Sequence, residues 1–301
     1  MKKWLATVVV TALLLFVIII NQSSYPELNY YQRNAINTNH KQDNIYFVFI
    51  NGLGASCDGS TYNNMDFPEI RKVLTGLGFN FYDHRFLMYS YNGGEVVGDR
   101  WIPEEYTASD TGQLIQISTN KLEYLIEQFS FAHPEAKYIL VGHSLGGKIA
   151  MDFLTNVRSE LRNKIKGVVT MNSPLIGSPN KIPGKVMNFL ERFNSIWVSP
   201  AVQQLIWEYK YANKVSIALK KTINQLQKEG IIVATFSTRQ DRLVDATTAC
   251  IAEGGTPITA GTIVDVNGYS IRDIAAHMQI LGHDKVKRYF VSLYINSILT
   301  D

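Results

Sequence analysis

The sequence is poor in cysteine, since its 301 residues include only Cys57 and Cys250. Two cysteines are too few for the disulfide framework that stabilises small secreted domains. They allow one internal bridge, which an oxidising compartment outside the cytoplasm would permit. The alternative is a pair of separate, partly buried thiols, and the sequence leaves both possibilities open.

Charge is also scarce, because Asp, Glu, Lys and Arg make up 18% of the chain and the formal net charge is +3. The sequence has no dense Lys and Arg cluster interleaved with aromatic residues, so nucleic acid is not an expected partner. Disorder is equally unexpected, since hydrophobic residues account for 46% of the sequence. That content is sufficient to bury the core of one large globular domain.

Residues 1–20 form a separate segment, in which Lys2 and Lys3 precede an uncharged apolar run from Trp4 to Ile20. A run of about 17 residues is just long enough to span a bilayer as a helix. No clear A-x-A cleavage pattern follows, which favours an uncleaved signal anchor over a cleaved signal peptide. Because the lysines favour the cytoplasmic side, either interpretation places the rest of the chain outside the cytoplasm, anchored in the cell membrane or secreted.

A polar segment, 21–44, separates the apolar run from the domain that we predict over 45–301. Its polarity and weak periodicity are typical of a stalk. From Ile45 onwards, short β-rich apolar runs alternate with segments whose apolar residues recur at helical spacing. This alternation predicts an α/β fold with a mostly parallel central sheet and helices on both faces. Strands are expected at 45–50, 86–91, 138–141, 167–171, 231–237 and 262–266.

A helical insertion is expected at about 179–229, where the sequence is rich in aromatic residues that include Trp197, Trp207 and Tyr211. These side chains could belong to additional helices that pack on the core. They could equally line a lid over a site for an apolar substrate, because ligand pockets favour aromatic linings. The sequence alone favours neither interpretation.

The segment 142–146 reads GHSLG and matches the pattern G-x-S-x-G around Ser144. An expected strand precedes it and a helical pattern follows it, which is the context of a nucleophile elbow. The glycines allow a sharp turn that exposes the serine hydroxyl. A phosphate-binding loop is the competing interpretation, since Gly142 and the Gly-Lys pair ending at Lys148 fit G-x-x-x-x-G-K. It fails at Ile149, where that loop needs Ser or Thr to bind magnesium.

Three segments resemble bacterial lipases of the α/β-hydrolase superfamily, within a likeness that spans 45–299. Residues 141–147 are similar to the nucleophile elbow and residues 49–54 to the oxyanion loop. Residues 171–178 are similar to the lipase strand end that usually reads t-P-h-x-G-s. The resemblance implies the α/β-hydrolase fold and a serine hydrolase. The sequence departs from the family pattern at Asn51, where lipases usually carry His.

The catalytic triad of this fold follows the chain order Ser, acid, His. Asp241 lies in a loop similar to the family's acid loop D-x-x-V, although a surface ion pair with a neighbouring arginine is the alternative. Both His277 and His283 come late enough in the chain to be the base. The resemblance favours His277, because the base of small bacterial lipases lies several residues before the last helix, expected here at 284–299.

The oxyanion of an acyl-transfer intermediate needs two fixed donors, which the resemblance places at the backbone amides of Leu53 and Leu145. No metal site is expected, since His277 and His283 lie six residues apart without a carboxylate cluster at ligand spacing. No cofactor is expected either.

The pattern around Ser144 therefore predicts hydrolysis of an apolar or acyl ester through an acyl-enzyme. Acyltransferase, thioesterase or peptidase activity on the same triad is an alternative, because one fold hosts many chemistries. A non-catalytic scaffold that binds lipid or a protein partner is a third possibility.

Overall fold

The computed structural model describes residues 44–61, 67–179, 196–253, 256–266 and 275–299. The predicted anchor at 1–20 and nearly all of the predicted stalk lie outside these residues. Within the described ranges, no helix is long and apolar enough to cross a membrane.

A six-stranded sheet, parallel throughout, forms the centre of the domain. Its strands are β1 (Ile45–Ile50), β2 (Phe86–Met88), β5 (Lys137–His143), β6 (Ile165–Met171), β7 (Ile232–Thr238) and β10 (Ile263–Val264). They lie in the order β10-β7-β6-β5-β1-β2. The mostly parallel sheet predicted from the sequence is confirmed.

Helices cover both faces of this sheet. The helices are α1 (Pro68–Thr75), α2 (Ile115–Ala132), α3 (Leu145–Asn156), α4 (Ser159–Arg162), α5 (Pro200–Lys210), α6 (Ala212–Lys228), α7 (Ala246–Cys250), α8 (Ala275–Gln279) and α9 (Asp284–Leu299). The sequence of strand β1 is continuously apolar because both faces of this strand are buried. Val48 faces the core shared with α2, α3 and α6, whereas Phe47 and Phe49 face the core shared with α1 and α9. A strand buried on both faces has no polar positions to alternate with.

Two segments differ from the predicted secondary structure. The strand expected over 86–91 ends at Met88, and the stretch after it forms an antiparallel hairpin of β3 (Gly94–Val97) and β4 (Arg100–Pro103). The hairpin is held to the sheet by Trp101, which is buried and donates its indole N–H to the Met88 carbonyl at 3.1 Å. A second, two-stranded hairpin joins β8 (Ala252–Glu253) and β9 (Thr256–Pro257).

The described part of the predicted insertion contains a 3₁₀ turn (Ile196–Val198) followed by α5 and α6. Helix α6 packs Leu219, Ile223 and Leu226 into the core beside the sheet, as the core-packing interpretation requires. Two large aromatic side chains of these helices point outwards, since Trp207 is 58% exposed and Tyr211 is 45% exposed. Residues 180–195 of the insertion lie outside the described residues.

No disulfide joins Cys57 and Cys250, both of which lie in the described part of the chain. The backbone of Cys57 pairs with Tyr106, and Cys250 ends α7 with its thiol near Ser237. Burial raises the pKa of the Cys250 thiol to about 11, so this thiol is protonated at neutral pH. The interpretation of two separate thiols is therefore the correct one.

A buried ion-pair cluster connects α5 to α3, the helix that follows the candidate nucleophile. Lys148 lies 2.7 Å from Asp152 on its own helix and 3.1 Å from Glu208 on α5. Burial opposes the charge on Lys148, but the two carboxylates outweigh it and raise the pKa of this lysine. Lys148 therefore forms structural ion pairs. This role replaces the phosphate-binding loop that was the competing interpretation of the sequence.

Substituting Lys148→Met is expected to lower the free energy of unfolding by about 3 kcal/mol, because it leaves Glu208 buried without its countercharge. Urea denaturation followed by circular dichroism measures the change. The exposed Lys228→Met is the matched control and should stay within about 0.5 kcal/mol of wild type. Equal stabilities of the two variants would contradict this account of the cluster.

Candidate active site

Ser144 stands at the turn between β5 and α3, and its backbone is in a strained conformation with φ 53° and ψ −126°. Glycines on both sides make this turn possible. A Cβ at Gly142 would lie 2.4 Å from the Gly147 backbone, and one at Gly146 would lie 2.0 Å from the Ile50 carbonyl oxygen. No side chain fits at either position, so the G-x-S-x-G spacing is a packing requirement of this turn.

The loop after β1 passes directly beside Ser144. A Cβ at Gly52 would lie 2.7 Å from the Ser144 Cβ and 3.3 Å from its Oγ. The loop is held by the Gly54 amide, which donates to Thr111 Oγ1 at 2.9 Å. Leu53, the predicted oxyanion residue of this loop, therefore lies between Gly52, which packs against Ser144, and Gly54, which is hydrogen-bonded to Thr111.

Asn51, the departure from the lipase pattern, is buried at the start of the same loop. Its carbonyl accepts a hydrogen bond from the Tyr91 hydroxyl at 2.8 Å, and its side-chain amide donates to the Tyr106 hydroxyl at 3.4 Å. Two tyrosines thus hold the loop in place at this end.

Asp241 and His277 lie together although 36 residues separate them in the chain. The His277 Nδ1 is 2.7 Å from Asp241 Oδ2, and both side chains are almost fully buried. The other oxygen of Asp241 accepts the amides of Leu243 and Val244 at 2.8 and 3.1 Å. An ionised carboxylate only accepts hydrogen bonds, so the His277 proton is on Nδ1 and the Nε2 lone pair is left to act as a base.

Arg239, one of the arginines next to Asp241, pairs instead with Asp265, and 3.2 Å separate its Nε from the Asp265 Oδ1. The second candidate base, His283, lies just before α9. Its Nδ1 accepts the Lys285 amide at 3.2 Å, which is the hydrogen bond of a helix N-terminal cap.

The backbone carbonyl of His277 contacts the side chain of His143, the residue before Ser144. The His143 Nε2 lies 3.0 Å from this oxygen, and the two imidazole rings are 4.7 Å apart. Because a carbonyl only accepts, His143 must carry its proton on Nε2. Since His143 directly precedes Ser144, this contact joins the backbone of His277, the predicted base, to the elbow.

Asn172 is a residue that the sequence reasoning missed as part of the site. It follows β6 with φ 46° and is fully buried. Its Oδ1 accepts the Thr238 amide at 2.7 Å, and its Nδ2 donates to the His277 carbonyl at 2.9 Å. One side chain thus connects the strand end that precedes Asp241 to the backbone of His277. The only local signal was its place directly after a strand, next to the lipase-like segment 171–178.

Asn172→Gly should lower kcat for the predicted ester hydrolysis roughly 10- to 100-fold and leave KM within about threefold, because small displacements of the predicted base are costly. Glycine keeps the positive φ, so the loss comes from the missing hydrogen bonds. Asn172→Asp is the matched variant, since it keeps the acceptor for Thr238 but loses the donor to His277. Steady-state kinetics of the two variants checks this prediction, with their melting temperatures as the control for folding. An unchanged kcat in both variants would exclude a role of Asn172 in positioning His277.

The site therefore combines a partly exposed hydroxyl at a strained turn with a buried imidazole and carboxylate at the same edge of the sheet. This edge is where the carboxyl ends of parallel strands gather, the usual place for ligands in open α/β sheets. Such a set can transfer a proton from a hydroxyl to an imidazole and stabilise the resulting imidazolium.

The parallel sheet, the helices on its two faces and the strand-turn-helix at Ser144 define an α/β-hydrolase. More narrowly, the chain belongs to the family of the PGAP1-like alpha/beta domain, whose model matches residues 102–265. The matched region includes Ser144 and Asp241 and ends before His277. No curated protein gives a significant match.

Several solved structures are similar to this chain, and the two with TM-scores above 0.5 share its fold. The phospholipase PlaB from Legionella pneumophila, in complex with thio-NAD, is 9% identical with a TM-score of 0.53, and the alignment covers 85% of this chain and 61% of that one. A second structure of PlaB has a TM-score of 0.52 at 10% identity. A soluble variant of monoglyceride lipase from Saccharomyces cerevisiae is 15% identical over 85% of this chain and 86% of that chain, with a TM-score of 0.47. At these identities the likeness establishes the fold alone.

Proposed function

We propose that this protein is a serine hydrolase that cleaves carboxylic esters through an acyl-enzyme. Ser144 is the nucleophile, His277 the general base and acid, and Asp241 the acid that orients the imidazole. The observation that carries the proposal is the buried 2.7 Å contact between Asp241 and His277 at the edge of the sheet that holds Ser144.

In the first half of the reaction, His277 Nε2 takes the Ser144 proton while Oγ attacks the ester carbonyl. The oxyanion of the tetrahedral intermediate is stabilised by the backbone amides of Leu53 and Leu145. The intermediate collapses when His277 returns the proton to the leaving alcohol. Water, activated by the same imidazole, then releases the acid from Ser144.

A lipid or other apolar acyl ester is the proposed substrate class. The Legionella protein with the same fold is a phospholipase, which supports a lipid ester here. Acyltransferase, thioesterase or peptidase activity on the same three residues is the second candidate, because the fold leaves the acyl acceptor undetermined.

The experiment that tests this function is an activity screen over p-nitrophenyl esters of increasing acyl length. We expect turnover that depends on chain length, since selectivity depends on the size of the apolar pocket. Transfer of the acyl group to an added alcohol or thiol in preference to water would favour the second candidate. A folded protein without turnover on any ester would favour a non-catalytic binding scaffold.

We further propose that residues 1–20 remain attached and anchor the chain in the cell membrane, with the domain outside the cytoplasm. The apolar length of the segment and the absence of a clear cleavage pattern support this. Full-length protein should pellet with membranes and resist extraction by carbonate. Protein in the culture medium with a new N-terminus near Ser24 would show cleavage instead.

A further inference from the structure

An exposed corner between α5 and α6 carries large apolar side chains next to lysines. Trp207 is 58% exposed and Ile217 is 70% exposed, and the rings of Trp207 and Tyr211 are 4.9 Å apart. Soluble surfaces rarely gather such side chains without a partner. We call this corner the rim face, and it consists of Trp207, Tyr209, Lys210, Tyr211, Lys214 and Ile217.

The rim face belongs to a strongly basic stretch of the chain. Residues 200–228 contain five lysines and one acid, Glu208. The charge of Glu208 is compensated internally, because its buried carboxylate pairs with Lys148 at 3.1 Å. Lys210 and Lys214 are exposed beside the aromatic rings, and the Lys214 Nζ lies 5.9 Å from the Tyr211 ring centre. The outer surface therefore presents positive charge together with apolar groups.

The rim face lies at the same edge of the sheet as the candidate active site. The loop after β6 contacts α5 closely, since a Cβ at Gly177 would lie 2.5 Å from the Tyr209 backbone nitrogen. The backbone amide of the adjacent Ser178 donates a hydrogen bond to the Leu205 carbonyl of α5 at 3.1 Å. Its hydroxyl donates to the Leu243 carbonyl at 3.2 Å, two residues after Asp241.

We propose that the rim face docks on the surface of an anionic lipid bilayer. Trp and Tyr rings are favoured at the interface between headgroups and acyl chains, and lysines are attracted to anionic headgroups. The exposed aliphatic side chain of Ile217 favours a lipid bilayer over a soluble polyanion as the partner, because it can be buried at the boundary between headgroups and acyl chains. The predicted stalk 21–44 keeps the domain within roughly 80 Å of the predicted anchor, so the bilayer is within reach.

This inference adds a second membrane contact beyond the proposed anchor and does not depend on chemistry at Ser144. Docking would hold the edge of the sheet that carries the candidate active site towards the lipid surface. The apolar and basic groups would act together, because neither a few lysines nor one small apolar patch gives firm membrane binding alone.

The test uses the full chain reconstituted into vesicles, with an environment-sensitive fluorophore attached at Ile217→Cys. The native cysteines are buried, and unsubstituted protein gives the background labelling. Phe131→Cys is the matched control. Phe131 is 89% exposed near the end of α2, which leads into the start of β5 and so lies at the opposite edge of the sheet.

We expect a blue shift and quenching by brominated lipid at position 217 in vesicles that contain phosphatidylglycerol, but not in pure phosphatidylcholine. High salt should reverse both signals, and position 131 should give neither. The double substitution Lys210→Gln with Lys214→Gln should lower the docking equilibrium constant roughly 30-fold, at about 1 kcal/mol per lysine near an anionic surface.

The proposal is overturned by an unchanged signal at 217 in phosphatidylglycerol, by equal signals in both lipids, or by equal signals at 217 and 131. A shift caused by a soluble polyanion but not by vesicles would also overturn it and assign the face to another partner. Since no substrate is turned over in this measurement, its failure is separate from failure of the proposed ester hydrolysis.

Discussion

Ser144→Ala is expected to lower kcat/KM for p-nitrophenyl ester hydrolysis by at least about 10⁴-fold, with no loss of folding cooperativity. In the proposed mechanism this hydroxyl is the attacking group, and without it no acyl-enzyme can form. Little packing is lost, because Ser144 is partly exposed at the tip of the elbow. Steady-state kinetics and thermal unfolding of the same preparation measure both properties.

Ser178→Ala is the control for this experiment, since it removes a hydroxyl at the same edge of the sheet. That hydroxyl donates to the Leu243 carbonyl and has no role in the proposed chemistry. We expect activity within a few-fold of wild type. Turnover of Ser144→Ala near the wild-type rate would contradict the assignment of the nucleophile.

His277→Ala should lower kcat by several orders of magnitude, whereas His283→Ala should stay within a few-fold of wild type. Of these two histidines, His277 has its Nδ1 on a buried carboxylate and its backbone carbonyl bound to His143. His283 accepts the Lys285 amide at the start of α9, so its loss costs a helix cap. Parallel kcat measurements on the two purified variants give the comparison.

The unfolding free energies of both variants provide the control for folding. His283→Ala is expected to lose about 1 kcal/mol of unfolding free energy through the missing cap. If His283→Ala were the inactive variant and His277→Ala turned over normally, the base would be misassigned. Asp241 would then need a different role.

The sequence was most informative where local pattern alone fixes structure. Strand β1 is a continuous apolar run because both its faces are buried, so its residues could be assigned correctly. The elbow at Ser144 could be placed because only glycine fits at Gly142 and Gly146. The roles of Asp241 and His277 came from family resemblance, and these roles stay predictions until kinetics test them.

The sequence was least informative where a residue's partner is distant in the chain. Asn172 could not be recognised as part of the site, because its partners Thr238 and His277 are 66 and 105 residues away.

The hairpin of β3 and β4 was missed for a different reason. Its strands are four residues each and pair with each other outside the main sheet, so neither shows the length or apolar run of a core strand. What places the hairpin is the buried Trp101, whose indole donates to the end of β2. Such a contact is visible only after the chain has folded.

The central claim is that Ser144 is an activated nucleophile, and a fluorophosphonate probe tests it most directly. The folded protein should form one covalent adduct, which peptide mass spectrometry should locate on Ser144. His277→Ala should react far more slowly, because the probe needs the hydroxyl activated by its base. Folded protein that stays unlabelled, or an adduct on any other residue, would contradict the account.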